Sequence, residues 1–493
     1  MKAIADVLRK HAITIVLALA WVALFLSGLQ HYAGSKTLFT LFSLVSLALL
    51  LSGLYRTGSF GYLFLSVFLW LGLWFKLTAN FLLFGVFPFG EPVGNFNSSA
   101  DAWDLVLYVA MAASLGLIFG GAICRAFRPQ PYARTEWACA PSWYPAARKW
   151  LWAGIIVATI AGAVFNTIYG IHQVGNAPRT IFPWPTNALL AWFLNIGAAL
   201  MIAVLVCWDV ALRKNIGLPV YAMLGEAFIT TVSVISRAAF SFHVIPQVFA
   251  LYQRKDITQQ YSRKQLLFFV ATLSLLFFAS IAAVSFLRDF QYAGCRATPT
   301  PEPVSIVAHA SNNASTLPAE PAKQSGKAVS SFRWILIHQL LVNRWIGIEG
   351  VMAISSYDGK SDALLWDMLT EKREIGKVTA YQEVSKSGYQ TPDAKFQFGS
   401  MPGMSGFLYY SGSLWVVFAG MMGIAVLVFL SERLIFWLTS NPIICSLYGM
   451  ILANTVAQFG MTPRQDVPQY LMIYILIAGI WLIQTRGVAN ELH

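Results

Sequence analysis

Charge is what this sequence has least of: Asp, Glu, Lys and Arg make up only 11% of its 493 residues. Soluble domains carry about a quarter charged residues, so most of this surface faces something other than water. Cysteine is sparse too. Cys124, Cys139, Cys207, Cys295 and Cys445 stand singly. Only Cys295 falls in a long outer loop on the topology below, which excludes an intrachain disulfide framework, and no spacing suggests a metal. The chain lacks a Walker loop, a GxGxxG turn, HExxH and GxSxG, which excludes the usual ATP, nicotinamide and hydrolase chemistries. It also lacks an internal repeat, which argues against a repeat-built transporter.

What is present is apolar and aromatic: 57% hydrophobic residues, 14% aromatics and 17 Trp. Trp and Tyr concentrate where helices meet lipid headgroups. The formal net charge of +12 does not point to nucleic acid. Its cations pair at the ends of apolar runs, as Arg9-Lys10, Arg148-Lys149, Arg213-Lys214, Arg254-Lys255 and Arg263-Lys264. That is the positive-inside pattern, which sets orientation. The N-terminal apolar run lacks a small-residue cleavage site and is long enough to span, so it reads as an uncleaved first helix.

Spans of about 20 residues then follow one another with alternating charge. The expected helices are about 12–29, 37–54, 60–84, 104–123, 150–168 and 187–208. Residues 218–252 are bounded by two basic pairs that both belong inside. Two short helices folded as a hairpin satisfy both pairs and put Arg237 at the outer apex. A single span would strand one pair outside, and a lone cation in lipid costs about 2.5–3.5 kcal/mol or more. Further helices are expected at about 265–287, 409–430, 434–457 and 469–485. The fold class is therefore an all-α polytopic membrane protein of about 12 transmembrane helices, with both termini inside. Helices fill 1–287 and 409–493, and a large outer loop fills 288–408.

That loop divides in two. Residues 297–330 are rich in Pro, Ala, Ser and Thr and read as a disordered linker. Residues 331–408 read as folded and helical. In SFRWILIHQLLVNRWIG, the residues Trp334, His338, Leu341, Trp345 and Ile348 recur at helical steps. Arg333 and Arg344 share another face, and a second helix is expected over Ser361 to Glu374.

Five cations fall on the outer side: Lys76, Arg179, Arg237, Arg344 and Arg464. Each has two readings. Lys76, inside the third helix, either snorkels to headgroups or marks a site. Arg344 either snorkels at the membrane surface or binds ligand. Arg237 either forms structural hydrogen bonds or binds ligand. Arg179 and Arg464 are either plain surface charges or contributors. His338 is either a core histidine or a site residue, and Glu226 either a buried bonded acid or a site residue. Guanidiniums converging from distant segments suit a diphosphate, because the planar fork binds phosphate oxygens in pairs.

Several segments resemble the bacterial O-antigen polymerase family. They are FPFGEPVGNFNSSADAWDLVL (87–107), SRAAFSFHVIPQVFALY (236–252), NRWIGIEGVMAISSY (343–357), PGMSGFLYYSGSLWVVFAGM (402–421), NPIICSLYG (441–449) and FGMTPRQ (459–465). The resemblance is one of segments and layout across helices 3 to 12. An arginine repeat of some members, Arg followed eleven positions later by Gly, is not matched at Arg344, where Ser355 stands.

The resemblance implies a GT-C-like, inverting glycosyltransferase of the bacterial inner membrane that needs neither metal nor cofactor and whose site faces the periplasm. Its substrate would be an undecaprenyl-diphosphate-linked oligosaccharide, with membrane lipids and a chain-length regulator as partners. Arg237 and Arg344 would hold the diphosphate, supported by Lys76, Arg179, Arg464 and His338, and Glu349 would serve as base. The alternatives are an O-antigen ligase, a lipid-linked oligosaccharide flippase and a non-catalytic assembly protein.

Overall fold

The computed structural model describes residues 2–55, 58–127, 140–176, 178–212, 217–254, 261–292, 338, 341–371, 378–386, 401–460 and 463–489. Among these residues the regular structure is helical, with no strand. The expected linker at 297–330 and Trp334, Arg333, Cys139 and Cys295 lie outside the described residues.

Among the described residues nine helices are long and apolar enough to cross a membrane. They are α1 (Lys2–His31, apolar over Thr14–His31), α2 (Lys36–Leu54), α3 (Phe60–Phe84), α4 (Ala100–Phe127), α5 (Tyr144–Tyr169), α6 (Thr186–Ala211), α9 (Arg263–Tyr292), α14 (Leu414–Thr439) and α16 (Pro463–Ala489). Three shorter helices complete the bundle: α7 (Gly217–Ser233), α8 (Ala239–Tyr252) and α15 (Pro442–Ala457). At 1.5 Å per residue, these fall short of a hydrocarbon core about 30 Å thick. Between α9 and α14 lie α10 (Ile348–Ser355), α11 (Asp362–Thr370), α12 (Ala380–Val384) and α13 (Gly403–Leu408).

The bundle has a centre and a rim. More than half of the apolar window of α3, α4 and α6 is buried, whereas α1 and α9 bury 11% of theirs. Leu17, Leu267, Phe286 and Leu427 point outward, as lipid-facing side chains do. Two glycines one turn apart, Gly116 and Gly120, bring α4 against α14. A Cβ at either would lie within 2.5 Å of the carbonyl oxygen of Phe418 or Met422. Small residues at such spacing permit backbone contact between membrane helices.

The end carrying Arg125, Arg148, Arg254 and Arg263 is closed by buried acids. Glu432 accepts from Ser59 Oγ (2.6 Å), Phe60 N and Gly61 N (both 2.9 Å), and so caps α3 with a negative charge at its positive dipole end. Asp209 accepts from Arg148 Nε (2.6 Å) and Nη2 (2.8 Å), from Tyr144 Oη (2.8 Å) and from Trp152 Nε1 (3.2 Å).

Three expectations about boundaries change. The break near Arg433 moves to Ser440-Asn441. Asn441 caps α15 through the amides of Ile443 and Ile444, and Pro442 opens that helix at its first position. Arg464 lies in the first turn of α16 and not in a turn before it. Arg344 sits in a turn beyond any helix, and three residues on, Gly347, at φ +156°, packs against Gly72 of α3.

Candidate functional site

The site is built on α3, whose middle is a π-helical stretch from Trp70 to Phe75. Such a bulge is common at functional positions. It presents Gly72 to the segment before α10, where a Cβ would come 2.1 Å from the Ile346 carbonyl oxygen. That approach lets residues 343–349 descend beside Lys76, one residue past the bulge.

Lys76 is 1% exposed and its Nζ lies 2.7 Å from Glu349 Oε1, itself on a residue 2% exposed. The contact is a close ion pair without the alignment of a hydrogen bond, since Glu349 Oε1 accepts none from the described residues. The ammonium donates instead to the carbonyls of Trp345 (3.0 Å) and Asn343 (3.3 Å). One turn on, Asn80 donates to the Lys76 carbonyl (2.9 Å), and its Oδ1 lies 2.6 Å from His338 Nε2. Burial and the Lys76 charge push His338 below the ordinary imidazole range.

Glu91, on the loop leaving α3, faces this pair. Loss of water, then the negative charge of Glu349, push its carboxyl up to about 7, with Lys76 opposing. The loop is held from several sides. The Gly94 amide donates to the Ser385 carbonyl (2.9 Å), and Ser356 Oγ donates to the Val93 carbonyl (3.3 Å). Gly90 abuts the Asn343 side chain.

Three guanidiniums gather beside the same segment: Arg237 from the α7–α8 turn, Arg288 near the end of α9, and Arg344. Arg288 donates twice to the Ile235 carbonyl, at 3.2 and 2.9 Å. The Nε of Arg237 is buried without a hydrogen-bond partner among the described residues. Loss of water, then the charges of Arg288 and Arg237, push Arg344 down to about 10. Two guanidiniums close enough to act on Arg344 make, with it, a place for an anion with several oxygens.

The remaining candidates lie apart from these contacts. Arg179 is exposed, donates to Gln173 Oε1 at 3.4 Å and has its stem against Gly170. Arg464 is exposed on α16. Glu226 pairs inside the bundle with His243: its Oε1 is 3.0 Å from Nδ1, while Nε2 is 2.7 Å from the Asn195 carbonyl. A carbonyl can only accept, so His243 donates from Nε2 to Asn195 and turns Nδ1 to the Glu226 carboxyl. Among the described residues no three His, Cys, Asp or Glu side chains gather to hold a metal.

Sequence reasoning passed over Arg288 and Glu91. Arg288 stands where an apolar run ends and reads as an ordinary flanking charge. Glu91 lies in an acidic loop, and nothing local marks it as facing Lys76. No protein-family profile, curated protein or solved structure matches the chain.

Proposed function

We propose that this protein is a membrane glycosyltransferase that polymerises undecaprenyl-diphosphate-linked oligosaccharide repeat units at the outer face of a bacterial inner membrane. The observation that carries this reading is the gathering of Arg237, Arg288 and Arg344 at the end opposite the paired basic turns. A diphosphate bonded to a sugar is the chemistry such a cluster suits. As the glycosidic bond breaks, negative charge builds on the leaving diphosphate, and fixed guanidiniums stabilise that charge more than they stabilise the bound substrate. Lys76 is neutralised by Glu349. It therefore serves to lock the 343–349 segment against α3 and not to bind phosphate.

The test is a gene deletion followed by electrophoresis of the surface polysaccharide. A ladder reduced to a single attached repeat supports polymerisation. Free lipid-linked polymer with none attached means a ligase, and an unchanged ladder overturns the proposal.

A further inference from the structure

The cluster of guanidiniums accounts for the leaving group and leaves the attacking hydroxyl without a partner. In an inverting displacement the two oxygens lie on opposite faces of the sugar carbon. The proton acceptor must therefore stand away from the cations, across the sugar. The segment from Asn343 to Glu349 joins two separate groups of charges. The charges acting on Arg344 are those of Arg288 and Arg237, while those acting on Glu91 are Glu349 and Lys76.

Two carboxylates stand on the second side, and their surroundings separate their roles. Glu349 is 2% exposed and its carboxylate lies 2.7 Å from the Lys76 ammonium, closed off from an incoming hydroxyl. Glu91 is half-buried, so part of it stays exposed, and no hydrogen bond joins it to any described residue. The contacts of Val93 and Gly94 and the packing of Gly90 on Asn343 hold its loop in place. From this geometry we infer that Glu91, and not Glu349, is the group that takes the proton of the attacking hydroxyl.

The inference rests on the glycosyl-transfer reading above. The acceptor oxygen bonds to the anomeric carbon as the bond from that carbon to the diphosphate oxygen breaks. The electron pair leaves with the diphosphate, and the hydroxyl proton passes to the Glu91 carboxylate. A carboxyl that titrates close to neutrality suits this work, since it is ionised enough to accept and basic enough to drive transfer.

The experiment uses the full chain in lipid nanodiscs with the lipid-linked repeat unit as sole substrate, and follows elongation from about pH 5.5 to 8.5. The wild-type rate should rise with pH along an acid limb centred near 7. Glu91→Gln should lower the rate by about a hundredfold or more and abolish that limb, with binding of the lipid diphosphate unchanged. Persistence of the limb in Glu91→Gln would assign it to another group, with His338 beyond Lys76 the neighbour to suspect, and would overturn the inference. A flat wild-type profile overturns it without any variant, so the test survives a poorly folding mutant. If the wild-type protein binds the lipid diphosphate and never elongates it, the glycosyl-transfer reading fails and the base assignment falls with it. If the wild type elongates and Glu91→Gln does so equally well, only the base assignment fails.

Discussion

The two ends of the bundle treat charge in opposite ways. At the basic end, each buried acid is surrounded by donors: Asp209 by Arg148, Tyr144 and Trp152, and Glu432 by Ser59 and the first amides of α3. At the other end, Arg237, Arg288 and Arg344 crowd one another, and Glu91 faces a second carboxylate. The first arrangement is what stability favours, because a buried charge with every lone pair satisfied locks its neighbours together. The second works against stability, and groups of like sign are brought together where function needs a ligand of opposite sign.

The comparison can be broken at its strongest point. Replacing Asp209 with Ala leaves Arg148 without its anion and Trp152 Nε1 without its acceptor, while Tyr144 keeps only the Leu205 carbonyl. A loss of about 3–5 kcal/mol is expected, read as a lower melting temperature in detergent. An Asp209→Ala protein as stable as wild type would remove the anchoring role of that end.

At the cation cluster the expected effect moves from stability to activity. Arg237→Ala and Arg344→Ala should each cut polymer formation about a hundred- to thousandfold, with membrane level and melting temperature unchanged. Arg→Lys at either position should recover part of that loss, since an ammonium keeps the charge and loses the paired fork. Full activity in both lysine variants would mean that these residues only reach for headgroups.

Gly72→Ala tests the join between α3 and the descending segment. Its methyl would meet the Ile346 carbonyl oxygen, so backbone must shift. A destabilisation of about 1–3 kcal/mol is expected, with loss of elongation as Glu349 withdraws from Lys76. Wild-type activity in this variant would show that the segment need not sit so close.

The smallest effect concerns Glu91. Its folded carboxyl titrates at about 7, above the ordinary 4.5, so the folded protein holds a proton that the unfolded chain releases. Stability should therefore be greatest below about pH 4.5 for this group and decline as pH rises toward 7. Glu91→Gln should flatten that decline in thermal melts, and an unchanged slope would mean that the carboxyl titrates normally.

Much of the helical layout was legible in the residues themselves. Apolar runs of spanning length, interrupted by basic pairs, determine where helices lie, because a backbone in lipid must satisfy its own hydrogen bonds. The charges flanking 218–252 required two helices there, and the turn between α7 and α8 carries Arg237. Local chemistry also placed the break at Asn441-Pro442, although hydropathy alone put it several residues earlier. Pairing was decided only in three dimensions. Lys76 and Glu349 lie 273 positions apart in the chain and meet because Gly72 and Gly347 lack side chains that would hold the backbones apart. Arg288 joins Arg237 and Arg344 through the packing of α9 on the α7–α8 hairpin. Hydropathy is a property of each segment taken singly, whereas a charge cluster depends on the relative placement of several, and that placement is set by contacts no single segment contains.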